Sequence, residues 1–373
     1  MLDKKNQYDL VYFEIVGYCN ARCPWCMTGS KRIDETAFPS TFIKVDHFEN
    51  AINYLLDNGF ICPGKCRIDL YSWGEPMLHP KLNDILRILS RNNIDFGIST
   101  NASKVVHLDR DVLTNLRELK FSMSGFSQSS YDRIHGFHFE TILNNIEMLV
   151  KNIIKEGSPS QFTMAYHIYQ FNVDEMRLAA EFCNENSINF EPYCARLADY
   201  NFKKSYLDGS ISRELLEKMS KDLFLHYIDE LIATMPQNYE CPQFNILTID
   251  EYCNALTCCI LSKDHPEYSL GSLFELSRGE IHDMKLSRKV CVDCIKSGVT
   301  YWTHNPLVPK YIDDVKYVTR VKQMSQKRDL ELQNRDLELQ NRDSTINDIL
   351  NSKSYKLGRT LTWPIRYMIE RFR

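Results

Sequence analysis

The sequence predicts an α/β fold: a partial (β/α)6 TIM-like barrel, then a small cysteine-rich auxiliary domain and a C-terminal helical tail. Three observations carry this. Short β-type runs alternate with amphipathic helical stretches over the first two hundred residues, which implies βαβ units and a parallel sheet. Many of the 13 cysteines fall in two groups, Cys19–Cys23–Cys26 and a second set between Cys241 and Cys294. A seven-residue duplication, residues 328–334 and 335–341, marks a charged helix near the end.

The elements follow in order. Leu10, Val11, Tyr12, Phe13, Ile15 and Val16 form an apolar run that reads as a strand and leads into the loop 17–26. Residues 46–58 carry Phe48, Ile52, Leu55 and Leu56 on a helical stripe closed by Gly59. A strand over 67–72 ends in Trp73-Gly74-Glu75-Pro76, and a helix is expected over 80–91. Strands at 94–100 and 119–124, helix 141–154, strand 162–169, helix 174–184 and strand 188–193 complete about six units. One long helix is expected over 213–235, with no visible chemistry. Parallel barrels place their chemistry at the carboxyl ends of the strands. Cys19, Glu75, Asn101, Ser122 and Ser124 all fall at or near such ends.

A chain of 373 residues, 43% hydrophobic and 12% aromatic, supports a substantial core. Its 45 Lys and Arg against 49 Asp and Glu give no electrostatic reason to expect a nucleic-acid partner. The first nine residues lack a secretory pattern and no run is apolar enough to span a bilayer, so a cytoplasmic protein is expected. In that reducing compartment, cysteines point to metal ligation or catalysis ahead of disulfides.

Cys19, Cys23 and Cys26, with three and then two residues between them, put three thiolates on one tight loop. A [4Fe–4S] cluster normally takes four cysteines; three from one loop leave one iron open to another ligand. A structural zinc site would usually draw four ligands, commonly in two separated pairs. Buried cysteines acting as small hydrophobes would need no such spacing.

The triplet, with Trp25 beside the last cysteine, resembles the cluster loop of the radical S-adenosylmethionine (radical SAM) enzymes. The resemblance implies that SAM chelates the open iron and is cleaved to a 5′-deoxyadenosyl radical. Trp73-Gly74-Glu75-Pro76 is similar to that family's Gly-Gly-Glu-Pro motif, with Trp73 in place of the first glycine. Ser122-Met123-Ser124-Gly125 with Tyr131–Gly136 resembles the fourth-strand segment, with His135 where Arg is more usual. The SAM contacts this implies are Gly74, Glu75, Pro76, Asn101 and Ser122, with Arg133 held more loosely; no catalytic residue is assigned.

The second constellation is Cys241, Cys253, Cys258, Cys259 and Cys291-Val292-Asp293-Cys294, with Leu270-Gly271-Ser272-Leu273 between. It resembles the SPASM/twitch extension of some radical SAM enzymes. The resemblance implies one auxiliary [4Fe–4S] cluster on Cys241, Cys258, Cys291 and Cys294, with Cys259 the rival of Cys258. A zinc ribbon on the same residues is the alternative. Cys62, Cys66, Cys183 and Cys194 read as core residues; Cys194 is also a candidate hydrogen-atom donor.

The expected organisation is a core barrel over 8–200, a helical connection over 201–240, the auxiliary cluster domain over 241–297, a helical spacer over 298–350 and a basic aromatic tail over 351–373. Leu332, Leu339 and Ile346 lie seven apart without a full apolar seam, so a solvated spacer helix is expected over a coiled coil. The tail carries six basic residues against Glu370. This suits an anionic surface, such as peripheral contact with the inner membrane, or a protein contact. It also resembles the terminal segment of bacterial glycosyltransferases of surface-polysaccharide pathways. The resemblances imply a radical SAM enzyme acting on a carbohydrate, or else a peptide or protein maturase, reduced by a flavodoxin or ferredoxin. A zinc-stabilised binding protein with a coiled-coil tail is the reading from another class.

Overall fold

The computed structural model describes residues 7–33, 41–305 and 315–359. It divides into two compact units, Met1–Lys310 and Tyr311–Arg373.

The first unit is built on one open sheet of nine strands in the order β6-β5-β4-β3-β2-β1-β7-β8-β9. These are β1 Leu10–Phe13, β2 Arg67–Asp69, β3 Asp95–Thr100, β4 Leu116–Met123, β5 Gln161–Ile168, β6 Asn189–Cys194, β7 Leu247–Ile249, β8 Asn254–Leu256 and β9 Ser269–Ser272. Strands β1 to β6 pair in parallel and in sequence order. Strand β7 returns to pair in parallel with the free side of β1, and β8 and β9 follow antiparallel. The cysteine-rich segment therefore continues the barrel's own sheet.

Period-two alternation gives the parallel strands two different faces. On one, Val11, Phe13, Ile68, Phe96, Ile98, Leu119, Phe121, Met123 and Met164 are fully buried. Helices Val45–Asp57, Leu82–Arg91 and Phe139–Lys155 bring Phe48, Ile52, Leu55, Ile85, Leu86, Leu89, Ile142 and Ile146 into the same core. Each such side chain contributes roughly 1.5–3 kcal/mol.

The other face is polar. Arg67 on β2 reaches across β3 to Glu118 on β4, with Nη2 2.7 Å from Oε2, and its Nε lies 2.5 Å from Asp69 Oδ1. The crossing requires Gly97: a Cβ there would stand 2.4 Å from both Arg67 Nη2 and Asp69 Oδ1.

The helix expected over 213–235 is two helices, Arg213–Asp222 and His226–Ala233. Leu223 is extended at the break, and it and Phe224 turn inward to burial. Asp222 anchors the break: its Oδ2 accepts the Trp25 indole N–H at 3.1 Å, and its carbonyl accepts the Gln170 N–H at 2.9 Å. Trp25, Ile134, Tyr169, Leu197, Met219, Leu223, Ile228 and Trp302 share one apolar cluster, which ties the first cysteine loop to helix Val299–His304.

The second unit carries the helix Val315–Asn351. Leu332, Leu339 and Ile346 are exposed on it. The aromatic residues Trp363 and Phe372 lie outside the described residues. Among the described residues no helix is long and apolar enough to cross a membrane.

Replacing Asp222 with Ala strands the Trp25 indole N–H and is expected to destabilise the first unit by about 2 kcal/mol. Thermal unfolding of Asp222→Ala against the unmodified chain checks this, and an unchanged midpoint would remove Asp222 as the anchor.

Candidate active site

The carboxyl ends of the strands gather the first cysteine group. Beyond β1 the chain turns at Gly17, and the Cys26 N–H closes on the Cys23 carbonyl at 3.2 Å, just before helix Met27–Ile33. Cys19, Cys23 and Cys26 are partly exposed, and near enough for the Cys26 sulfur to raise the pKa of the other two. Burial, the largest cause, pushes the Cys19 thiol up to about 12 and raises Cys23 and Cys26 as well. Cys19 Sγ accepts the Ala21 N–H at 3.5 Å and faces Asn101 Nδ2 at 3.6 Å. Among the described residues no three His, Cys, Asp or Glu side chains are drawn close enough to hold a single metal ion. Three soft thiols on one loop fit a multi-iron cluster by their chemistry.

The turn after β2 packs against this loop. Buried Glu14 accepts the Trp73 N–H at 2.9 Å and the Gly74 N–H at 2.7 Å on Oε1. A Cβ on Gly74 would stand 1.6 Å from the Val16 carbonyl oxygen, so only glycine allows the approach. Glu75 is 3% exposed. Its Oε1 accepts from Thr100 Oγ1 at 2.8 Å and Met77 N at 3.0 Å, and its Oε2 accepts from Asn101 N at 2.7 Å. Burial outweighs these bonds and lifts both Glu14 and Glu75 to about 7. The Glu75 carboxylate thus braces the end of β3 and presents Asn101, whose Nδ2 also meets Asn20 Oδ1 at 3.0 Å. Pro76 opens the short turn Pro76–Leu78 and is buried.

At the end of β4, Ser122 is partly exposed and pairs in register with Ala165, while Ser124 is fully buried. Arg133 pairs with Asp222 and lies 4.3 Å from the centre of the Phe171 ring. His135 is buried, which lowers it to about 4, and its carbonyl accepts the Arg22 N–H of the cysteine loop at 3.1 Å. Cys194 is 2% exposed, and alternation sets it on the face opposite Tyr193. The hydrogen-donor reading of Cys194 therefore loses its geometry.

The second group surrounds a small, partly open pocket lined by Cys241, Cys258, Cys291 and Cys294, with apolar Phe244, Ile260 and Leu261 among its walls. Neither Cys259 nor Cys253 lines it. Cys291 and Cys294 come from the helix Lys289–Ser297, and Cys241 precedes the turn Pro242–Asn245. Cys258 and Cys259 share a hydrogen bond that holds Cys258 up and Cys259 down. Burial raises Cys241 and Cys294, and pushes Cys291 up to about 12, so a metal must displace their protons. Four thiols around one apolar space fit a cluster by donor chemistry.

Tyr12, Tyr71, Asp69, Glu118, Lys120, His167, Tyr193 and Arg196 add polar and aromatic groups from the barrel strands and their carboxyl ends. The Tyr12 and Tyr71 rings lie 5.9 Å apart, and Tyr71 donates to Asp69 Oδ2 at 3.1 Å. His167 Nε2 meets Tyr193 Oη at 2.7 Å, and Arg196 stands 5.2 Å from the Tyr193 ring centre. Burial and then the Asp69 carboxylate raise Tyr12 to about 12, with Cys259 and Arg196 also close enough to act on it. The polar strand face therefore reaches toward the second cysteine group.

Sequence reasoning missed Glu14 and Asp222. Glu14 had a signal, a lone acid inside the apolar run 10–16. Asp222 had none, because only the fold brings it to Trp25.

Residues 13–183 match the family model described as the Radical SAM superfamily. No curated protein sequence matches the chain. Among solved structures, Streptococcus suis SuiB bound to precursor peptide SuiA is 14% identical with a TM-score of 0.50, covering 77% of this chain and 66% of that one. The chain thus spans just under two-thirds of that protein's length. Native anSMEcpe with bound AdoMet is 12% identical with a TM-score of 0.49, covering 78% of this chain and 84% of that one. The open parallel sheet thus shares its fold with the partial TIM barrel of SuiB, and residues 13–183, which include the cysteine loop, carry a radical SAM domain.

Proposed function

We propose that Cys19, Cys23 and Cys26 hold a [4Fe–4S] cluster with one iron left for SAM, and that the enzyme abstracts hydrogen from a carbohydrate. The cluster, when bound, supplies the electron that cleaves SAM to a 5′-deoxyadenosyl radical. The chain's own residues orient and shield. Glu14 fixes the Trp73–Gly74 backbone, Glu75 fixes Asn101, and the Asn101 amide faces Cys19 Sγ. In this reading the Gly74–Pro76 turn, Asn101 and Ser122 receive SAM.

The observation that carries the substrate class is the polar strand face. Barrel interiors are usually filled with branched apolar side chains, whereas this one presents Tyr12, Tyr71, Asp69, Glu118 and Lys120, with Tyr193 and Arg196 at its end. Aromatic rings beside carboxylates and cations suit a polyhydroxylated, polar substrate. The tail's resemblance to surface-polysaccharide glycosyltransferases supports the same class. The second reading, a peptide or protein maturase, draws on the precursor peptide bound to SuiB.

We assign an auxiliary [4Fe–4S] cluster to Cys241, Cys258, Cys291 and Cys294, the four cysteines around the small pocket. It would relay electrons or bind substrate, with a flavodoxin or ferredoxin as donor to the enzyme. On this assignment the barrel is 8–200, the connection 201–240, the auxiliary domain 241–297, the spacer 298–350 and the tail 351–373.

Anaerobic reconstitution with iron, sulfide, SAM and reductant is expected to give 5′-deoxyadenosine, and Cys19→Ala, Cys23→Ala or Cys26→Ala each to abolish it. Formation by these variants would end the proposal. Sugars, nucleotide sugars and peptides are then compared as substrates; turnover of peptides alone would replace the carbohydrate reading. Iron analysis separates the second set: Cys258→Ala should lose about four irons per chain, while Cys259→Ala keeps them. The reverse pattern would make Cys259 the ligand, and zinc in place of iron would make the site structural. Deleting residues 325–373 is expected to leave SAM cleavage intact, and loss of cleavage on truncation would refute that separation.

A further inference from the structure

Lys203 and Lys285 stand beside the second cysteine group, and among the described residues neither forms an ion pair with a carboxylate. Their exposures are 2% and 0%. Lys203, on helix Tyr200–Leu207, donates from Nζ to Thr303 Oγ1 at 2.9 Å and lies 5.4 Å from the Trp302 ring centre. Lys285, on helix Arg278–Ser287, donates from Nζ to the carbonyls of Gln243 and Ile246, both at 2.8 Å. An ammonium group removed from water without an anion costs several kcal/mol.

Burial lowers Lys203 to about 7, with Arg196 adding to the fall, and lowers Lys285 as well; the groups that act the other way are cysteines, Cys258, Cys259 and Cys294 on Lys203, and Cys241, Cys258, Cys259 and Cys291 on Lys285. As thiols they are neutral and balance nothing; as thiolates of a metal centre they carry charge. Glu267, whose Oε2 accepts the Val290 N–H at 3.0 Å, is the acid on the Cys291 side. Asp293, between Cys291 and Cys294, acts with Glu267 on Tyr200, and neither acid is among the groups that act most strongly on Lys203 or Lys285.

We propose that Lys203 and Lys285 are the counter-charges of the auxiliary cluster and raise its reduction potential. The inference rests on the reading of Cys241, Cys258, Cys291 and Cys294 as a [4Fe–4S] site. Such a four-thiolate cluster is a dianion when oxidised and a trianion after accepting one electron. A nearby cation in a low-dielectric site stabilises the trianion more. Removing one ammonium therefore shifts the one-electron equilibrium toward the oxidised form. Lys203 and Lys285 act through charge, as positioning residues for the redox poise, and need not touch substrate.

The test uses the full chain carrying Cys19→Ala, Cys23→Ala and Cys26→Ala, so that a single cluster signal remains. After anaerobic reconstitution, iron is counted and the reduced fraction is followed by electron paramagnetic resonance during titration with dithionite. Lys203→Met and Lys285→Met are each expected to keep the irons and to lower the reduced-to-oxidised ratio at fixed potential about tenfold, which is about 59 mV for one electron. Lys203→Arg, which keeps the charge, should retain the original ratio. An unchanged ratio in the Met variants overturns the counter-charge role, and so does an equal fall in Lys203→Arg, which would mark a packing effect. If Lys285→Met does not fold, the two Lys203 variants decide the matter. A background chain that binds no iron at all overturns the cluster reading, and this inference with it.

Discussion

A single buried carboxylate organises the mouth of this barrel. Glu14 leaves β1 at the point where the strand ends and takes the two N–H groups of Trp73 and Gly74 on one oxygen. That bond fixes the turn after β2 against the Val16 carbonyl, where only a glycine fits. The same turn delivers Glu75, which spends its oxygens on Met77, Thr100 and Asn101. Through Asn101 the chain of contacts reaches Cys19. Three strand ends are thereby locked around the cysteine loop by hydrogen bonds that burial makes costly to break.

β1 is also where the two halves of the first unit meet. Its register with β2 on one side and β7 on the other makes the cysteine-rich segment an extension of the barrel sheet. Glu14 donates its N–H to the Ile249 carbonyl, and Thr41 Oγ1 meets Glu251 at 2.8 Å just beyond β7. One continuous sheet thus runs between the two cysteine groups.

The sequence was most informative where chemistry and periodicity coincide. The six parallel strands follow from alternating runs and helical stripes, and the first cysteine loop from its spacing alone. What it could not convey depends on long-range contacts. The break after Asp222 interrupts a stretch whose leucines read as one helix, because the cost of ending it is met by burying Leu223 and Phe224 and by the Trp25 bond. The choice between Cys258 and Cys259 is likewise invisible to spacing, since adjacent residues differ only in which way the chain turns them. Lys203 and Lys285 look like ordinary surface lysines in the sequence, and only the fold reveals them as buried amines beside the second cysteine group.

The central claim is that the amino-proximal cysteines leave one iron for SAM. Electron paramagnetic resonance of the reduced, reconstituted full chain, recorded with and without SAM, tests it most directly. The account predicts two cluster signals, one of which changes on adding SAM while the other stays fixed. Signals that are all indifferent to SAM would contradict it.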